Sequence, residues 1–231
     1  MALGFTYSSG GGDFTPIIKY DARAGRIFRE DRTQDAGGSW VKDSVDITGQ
    51  FKAVFDFENI EVGYIYFPLG AAPDFCVTRL GDPYPQRPSN NHNQGVRFML
   101  KLAKDVTGSA PPVREIAGTS AVFRMGVDEL HNAYEAGKAA NSGKLPVVTL
   151  KTTTPVTSGS GAKKSTNYQP VFEIAAWVAR PDDLIFVPKA NTKTVTPAAQ
   201  SNIAAPPATG STQVAPPPAA KQLATADSDF G

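Results

Sequence analysis

Leu145-Pro146-Val147-Val148-Thr149-Leu150-Lys151-Thr152 and Tyr168-Gln169-Pro170-Val171-Phe172-Glu173-Ile174-Ala175-Ala176-Trp177-Val178 are the two runs on which the fold turns. Both are rich in β-branched and aromatic residues and are bounded by turn residues, so each reads as a strand. Between them, Thr153 to Asn167 holds Thr, Ser, Gly, one Pro and the pair Lys163-Lys164. With almost no apolar side chains it has nothing to bury, which predicts a flexible basic loop projecting from the body. Side chains alternate along a strand. Phe172, Ile174, Ala176 and Val178 therefore share a core face, and Glu173, Ala175 and Trp177 the outer one. Val148 and Leu150 match the core set, leaving Val147, Thr149 and Lys151 opposite. A Trp and a Lys on an outer face beside a basic loop suit an anionic, flat-faced ligand. The competing reading packs Trp177 under a neighbouring loop.

The 231 residues carry a net charge of only +1, so any nucleic-acid partner must be announced by local clusters. A single cysteine, Cys76, excludes an intrachain disulfide and fits a reducing compartment. The first twelve residues, ending Ser8-Ser9-Gly10-Gly11-Gly12, have neither the basic nor the apolar region of a signal peptide. No apolar run nears the roughly 20 residues that span a membrane. These features predict a soluble cytoplasmic protein, in the host bacterial cytoplasm if phage-encoded. From Lys189 to Gly231 the chain is mostly Ala, Pro, Thr, Ser and Gln, a composition that cannot repay the entropy of ordering. The expected layout is a flexible arm over 1–12, a body over 13–188 and a disordered tail over 189–231.

Within the body, strands are expected near 16–20 and 26–30 around a turn at Ala24-Gly25. Lys19, Arg23, Arg26, Arg29 and Arg32 interleave there with Tyr20 and Phe28. Guanidinium groups bind phosphates and aromatic rings stack on bases, a mixture suited to single-stranded nucleic acid. The plain alternative is a solvated hairpin whose arginines pair with Asp21, Glu30 and Asp31. Further strands are expected at Trp40 to Asp46 and Gln50 to Phe57, the latter forming a hairpin with Val62 to Leu69. Phe51, Ala53, Phe55 and Phe57 mark a core face, while Tyr64 and Tyr66 share a face of the next strand as stacking candidates. Gly70 to Gln94 reads as loop. Val96, Phe98, Leu100 and Leu102 point inward, with Arg97, Met99 and Lys101 outward. Short strands follow at Val113 to Ile116 and Ala121 to Met125. One helix runs from Asp128, its N-cap, to Ala140, with Gly143 as its stop.

Hairpins, one helix, then a hairpin with a long loop is the order of an OB-fold, whose loops grip oligonucleotides. The expected class is mainly β: an OB-fold-like Greek-key barrel with insertions and one helix. The tail ends in Asp227-Ser228-Asp229-Phe230-Gly231, an acidic tip carrying a Phe. Body and tail together resemble single-stranded DNA-binding proteins of bacteria and their phages. Phage members are the closer match, because the body is larger than a bacterial OB domain. The resemblance implies a role in DNA replication or recombination, with Asp227, Asp229 and Phe230 meeting replication or recombination proteins.

Sites of chemistry are not evident. His92 and His131 lack metal-ligand spacing, and Cys76 has no partner. Gly161-Ala162-Lys163-Lys164-Ser165 precedes a strand rather than a helix, unlike a phosphate-cradling loop. Asp182-Asp183 read as a turn, and Asp56, Glu58 and Glu61 are close enough in sequence to be weighed as carboxylates of a metal-dependent nuclease. The expectation is a non-enzymatic protein without metal or cofactor that coats single-stranded DNA and is itself a possible homo-oligomer. Backbone contacts are assigned to Arg23, Arg26, Arg29, Arg97, Lys151, Lys163 and Lys164, and stacking to Phe28, Tyr64, Tyr66 and Trp177. The alternative is a phage structural protein of the capsid or tail.

Overall fold

The computed structural model of the chain describes residues 15–35, 38–161 and 164–189. Lys163 and the tail residues Asp227, Asp229 and Phe230 lie outside them. The strands are β1 (Ile17–Asp21), β2 (Arg26–Gln34), β3 (Trp40–Asp46), β4 (Lys52–Phe55), β5 (Glu61–Tyr66), β6 (Asp74–Arg79), β7 (Asn93–Leu102), β8 (Val113–Gly118), β9 (Lys144–Ser158) and β10 (Ser165–Ala179). A one-turn helix, α1 (Lys104–Thr107), precedes β8, and the long helix α2 (Ala121–Lys138) follows it. The protein is mainly β, a curled open sheet forming an OB-fold-like half-barrel with one long helix.

The sheet runs β10-β9-β4-β7-β8-β1-β2-β3, with β5 on β7 and β6 on β5. Pairing is antiparallel except between β1 and β8. The long strand β7 organises it. Its second half pairs with β4 and its first half with β5, so β4 and β5 lie end to end along one edge. The expected hairpin between these two segments is therefore not formed. Asp56 N–H remains bonded to the Met99 carbonyl, so the turn at Phe57–Asn59 re-aims the chain without reversing it. The hairpin partner of β5 is β6, which falls within the stretch 70–94 expected as loop.

Helix α2 begins at Ala121, so residues expected to form a short strand are its first turn. Ser120, not Asp128, is the N-cap, and its hydroxyl accepts the Phe123 N–H at 3.3 Å. Val122, Phe123, Gly126, Val127, Leu130 and Tyr134 form one buried stripe. It packs over a cluster of rings in which Phe55, Phe57 and Phe98 lie 5.0 to 5.5 Å apart. Gly126 lets the helix approach β10, because a Cβ there would stand 2.4 Å from the Pro170 carbonyl oxygen.

The run between the two defining strands is mostly paired. β9 and β10 continue to the Ser158–Ser165 pair, leaving only a short basic tip. The long loop expected over 153–167 is thus a hairpin arm. Threonine is β-branched and holds a ladder without burying itself, and the Thr157 and Thr166 hydroxyls meet across the strands at 3.2 Å. Lys164 is exposed at the tip. Register shifts fall between Val171 and Phe172 and between Ile174 and Ala176. The second inserts Ala175 as an extra residue and reverses the alternation beyond it. Trp177 consequently faces the helix, stacked on Tyr134 at 5.6 Å, and is not on an outer platform.

After β10 the chain crosses the face of the sheet opposite α2 as a strap over 181–189. Arg180 opens it by binding Asp56 at 2.5 Å and Glu58 at 2.9 Å. Arg97 donates to the Val187 carbonyl at 2.7 Å, and Lys101 pairs with Asp183 at 3.0 Å. Arg97, Met99 and Lys101 do point away from α2 as expected, yet the strap buries all three.

One contact draws the curl together. The Tyr168 N–H of β10 donates to the Ala22 carbonyl at 2.7 Å, and the Tyr20 hydroxyl donates to the Tyr168 carbonyl at 2.7 Å. Gly25 allows it. Its φ is +66°, and a Cβ would stand 2.9 Å from that of Tyr168.

Candidate nucleic-acid interface

Basic and aromatic side chains divide into those consumed by the fold and those left at the surface. Arg97 is consumed, being fully buried between the carboxylates of Glu61 and Glu115. Its guanidinium also stands 5.9 Å from the rings of Phe75 and Phe186. Arg97 is a structural clamp and has no surface to offer DNA. Burial raises the Glu61 pKa despite Arg97 beside it. Arg29 is also committed. It bonds Asp31 at 2.8 Å and caps α1 by donating to the Val106 and Thr107 carbonyls at 2.8 and 2.7 Å. The suspected acidic cluster is neutralised by Arg180 and Arg97, and among the described residues no group of His, Cys, Asp or Glu is gathered for a metal ion.

Of the remaining sequence candidates, Arg23 is exposed in the β1–β2 turn that meets β10. Arg26 is exposed but paired with Asp46. Asp46 is held at about 2 by hydrogen bonds from the Thr48 hydroxyl and amide and then by Arg26. Lys151 pairs with Glu173 at 3.3 Å, both largely exposed. Phe28 is half-buried on β2. Tyr66 is half-buried, with its ring 5.7 Å from that of His92.

Of the aromatic candidates, Trp177 lines a space of about 400 Å³ between α2 and β10 whose charged lining residues are Glu129 and Glu173, whereas Tyr64 lines a cavity that also holds arginines. Two adjoining spaces, of about 520 and 420 Å³, lie between the first half of α2 and strands β5 and β7. They share Gln94, Ala121 and Arg124 and form one trough. Each falls in the roughly 300–1,000 Å³ range of ligand pockets. The smaller end is polar, with Tyr64, Arg87, Asn93 and Thr119 joining the shared residues. The larger end is mainly apolar, with Val62, Leu80, Tyr84, Val96 and Met125 among its walls. Leu80, Tyr84 and Met125 are each about half exposed there. Asp128 and His131 also line this end.

The trough walls are held from behind. Tyr84 donates to the Gly63 carbonyl at 2.9 Å, and its ring meets Tyr64 edge-on at 5.6 Å. Burial and the Tyr64 neighbour push the Tyr84 phenol up, opposed by nearby Arg124. Arg124 donates to the Gln94 side-chain oxygen at 3.0 Å, and its Nε is buried without a partner among the described residues. Arg87 donates from Nε and Nη2 to the His92 and Asn90 carbonyls at 2.7 and 2.8 Å and lines the smaller end. The loop bearing Arg87 is braced by a Ser89–His92–Asp74 chain with contacts of 2.8 and 3.2 Å. Ser89 also accepts the Asn91 N–H, so this chain acts as a turn brace.

Sequence reading missed Arg87, Arg124 and Tyr84. The first and last sit in loop between β6 and β7, and Arg124 was placed on a strand. The missed signal was Ser120 before an apolar stripe, which starts α2 early enough to put Arg124 opposite Gln94. The contact at Tyr168 also links the basic β1–β2 turn to this region. Tyr20 stacks on Phe123 at 5.6 Å, next to Arg124 in sequence.

The fold and site define a mainly β half-barrel with an aromatic and cationic trough. Comparison of the chain with protein-family models, with curated proteins and with solved structures finds no match. No helix among the described residues is long and apolar enough to cross a membrane.

Proposed function

We propose that the protein binds single-stranded nucleic acid, without catalysis and largely without sequence preference. The observation that carries this reading is the trough, whose two adjoining ends are lined by Tyr64 and Arg87, by Tyr84, and by the shared Arg124. Unstacked bases find aromatic and apolar surface there, and the phosphates find guanidinium groups. A duplex keeps its bases stacked and offers them to no such cleft. Arg23 and Lys164 add exposed charge outside the trough. Arg26 and Lys151 sit in exposed ion pairs, which exchange for phosphate at little cost. Support for replication or recombination is the proposed biological setting, with the acidic tip as a partner contact.

Fluorescence anisotropy of a labelled oligonucleotide at low and high salt, with duplex as competitor, tests the reading. The expected result is salt-sensitive binding to the single strand over the duplex. No binding at low salt overturns it.

A further inference from the structure

The trough has two unlike ends and one shared arginine, and the difference sets a polarity. The polar end carries Arg87 and Arg124 with the amides of Asn93 and Gln94, and no carboxylate lines it. It also lies at the start of α2, an 18-residue helix whose amino end adds partial positive charge to that of the two arginines. The other end carries the half-exposed Leu80, Tyr84 and Met125, and its one carboxylate is Asp128. A phosphate is drawn more strongly to the first end, where two guanidinium groups line the wall, than to the second, where Asp128 offsets Arg124. A flat ring gains most contact at the second end, where Leu80, Tyr84 and Met125 stand together, with Tyr64 the ring at the first. Arg124 lines both ends and so stands at the junction.

From this we infer that the trough seats one nucleotide unit in a fixed direction. Its phosphate lies between Arg87 and Arg124, and its base lies against Tyr84, Leu80 and Met125. The inference rests on the single-strand reading and adds the unit recognised and its polarity. A strand threaded through the trough therefore enters in one direction. A free nucleoside monophosphate satisfies both ends by itself.

The test is displacement of a labelled mixed-sequence oligonucleotide from the full chain by dAMP, by deoxyadenosine and by inorganic phosphate. dAMP is expected to displace the strand, and the other two to be at least about tenfold weaker. Arg124→Gln is expected to remove the advantage of dAMP over deoxyadenosine. Tyr84→Ala is expected to remove its advantage over phosphate, with near-ultraviolet circular dichroism showing that each variant is folded. If the oligonucleotide binds and dAMP does not displace it, the nucleotide seat is wrong while the single-strand reading stands. If the oligonucleotide itself does not bind, both fall. Phosphate displacing as well as dAMP reduces the trough to an anion site and overturns the inference, as does an unchanged preference in both variants.

Discussion

The two faces of the central sheet use the same residue types for opposite ends. On the strap face, Arg97 is enclosed by Glu61, Glu115 and the Val187 carbonyl, with no exposure to solvent. On the helix face, Arg124 has one partner in Gln94 and lines an open trough. Both arginines come from apolar-rich runs, and nothing in their immediate neighbours separates them. What separates them is what crosses above. A peptide segment with its own carbonyls and acids covers the first, whereas the second stands on α2 beside a trough that no segment among the described residues covers. A buried charge with its partners holds a fold together, and a charge without a full set of partners remains able to bind a ligand.

The largest expected break in this contrast is Arg97→Ala, which leaves Glu61 buried without its counter-charge and Glu115 with Lys189 alone, 3.1 Å away. A loss of about 3–5 kcal/mol in urea unfolding is expected. Adding Glu61→Gln and Glu115→Gln should restore part of it. Weaker strand binding by a fully stable Arg97→Ala variant would return this residue to the interface.

Trp177→Ala comes next. The side chain stacks on Tyr134 and fills the space beside Gly137, so about 3 kcal/mol of stability should be lost. Strand affinity of the folded fraction should be unchanged, as anisotropy below the unfolding midpoint would show. Arg124→Gln should do the reverse, weakening strand binding by about tenfold while leaving the urea midpoint nearly in place.

A smaller effect concerns His131. Burial lowers its pKa below the ordinary histidine value, opposed by Glu135 and Asp128. The unfolded chain then takes up the proton first, so the His131 contribution to stability declines as pH falls through about 6.5. His131→Gln should flatten the wild-type difference in urea midpoint between about pH 7.5 and about pH 5.5. An equal difference in both proteins would assign the effect elsewhere. The least change is expected for Arg23→Ala, an exposed residue in a turn. It should reduce the slope of log affinity against log salt by about 0.7, the share of one single-strand phosphate contact.

The core was readable because it depends on local period. Alternation along Val96 to Leu102 and the Phe face from Phe51 to Phe57 place side chains by parity, and all are buried in the structure. Parity failed where one residue was inserted. Ala175 turns Trp177 from an outer platform into part of the helix contact, and a bulge leaves no local signature in a run of apolar residues. The basic pattern was legible as composition but not as exposure. Arg23 and Arg97 look alike in sequence, and only the strap distinguishes them.

Local sequence thus decided most of the strands and the buried faces of β4 and β7, while β6, the paired arm over 153–167 and the first turn of α2 escaped it. The legible properties follow from side-chain period and β-branching within a few residues. Pairing of β4 and β5 to the same strand, burial of Arg97 beneath residues 181–189 and the meeting of Arg87, Tyr84 and Arg124 in one trough were decided by tertiary structure. Each brings together residues distant in the chain, and their energies depend on solvent exclusion and partner geometry, which exist only once the sheet has curled and the helix has docked.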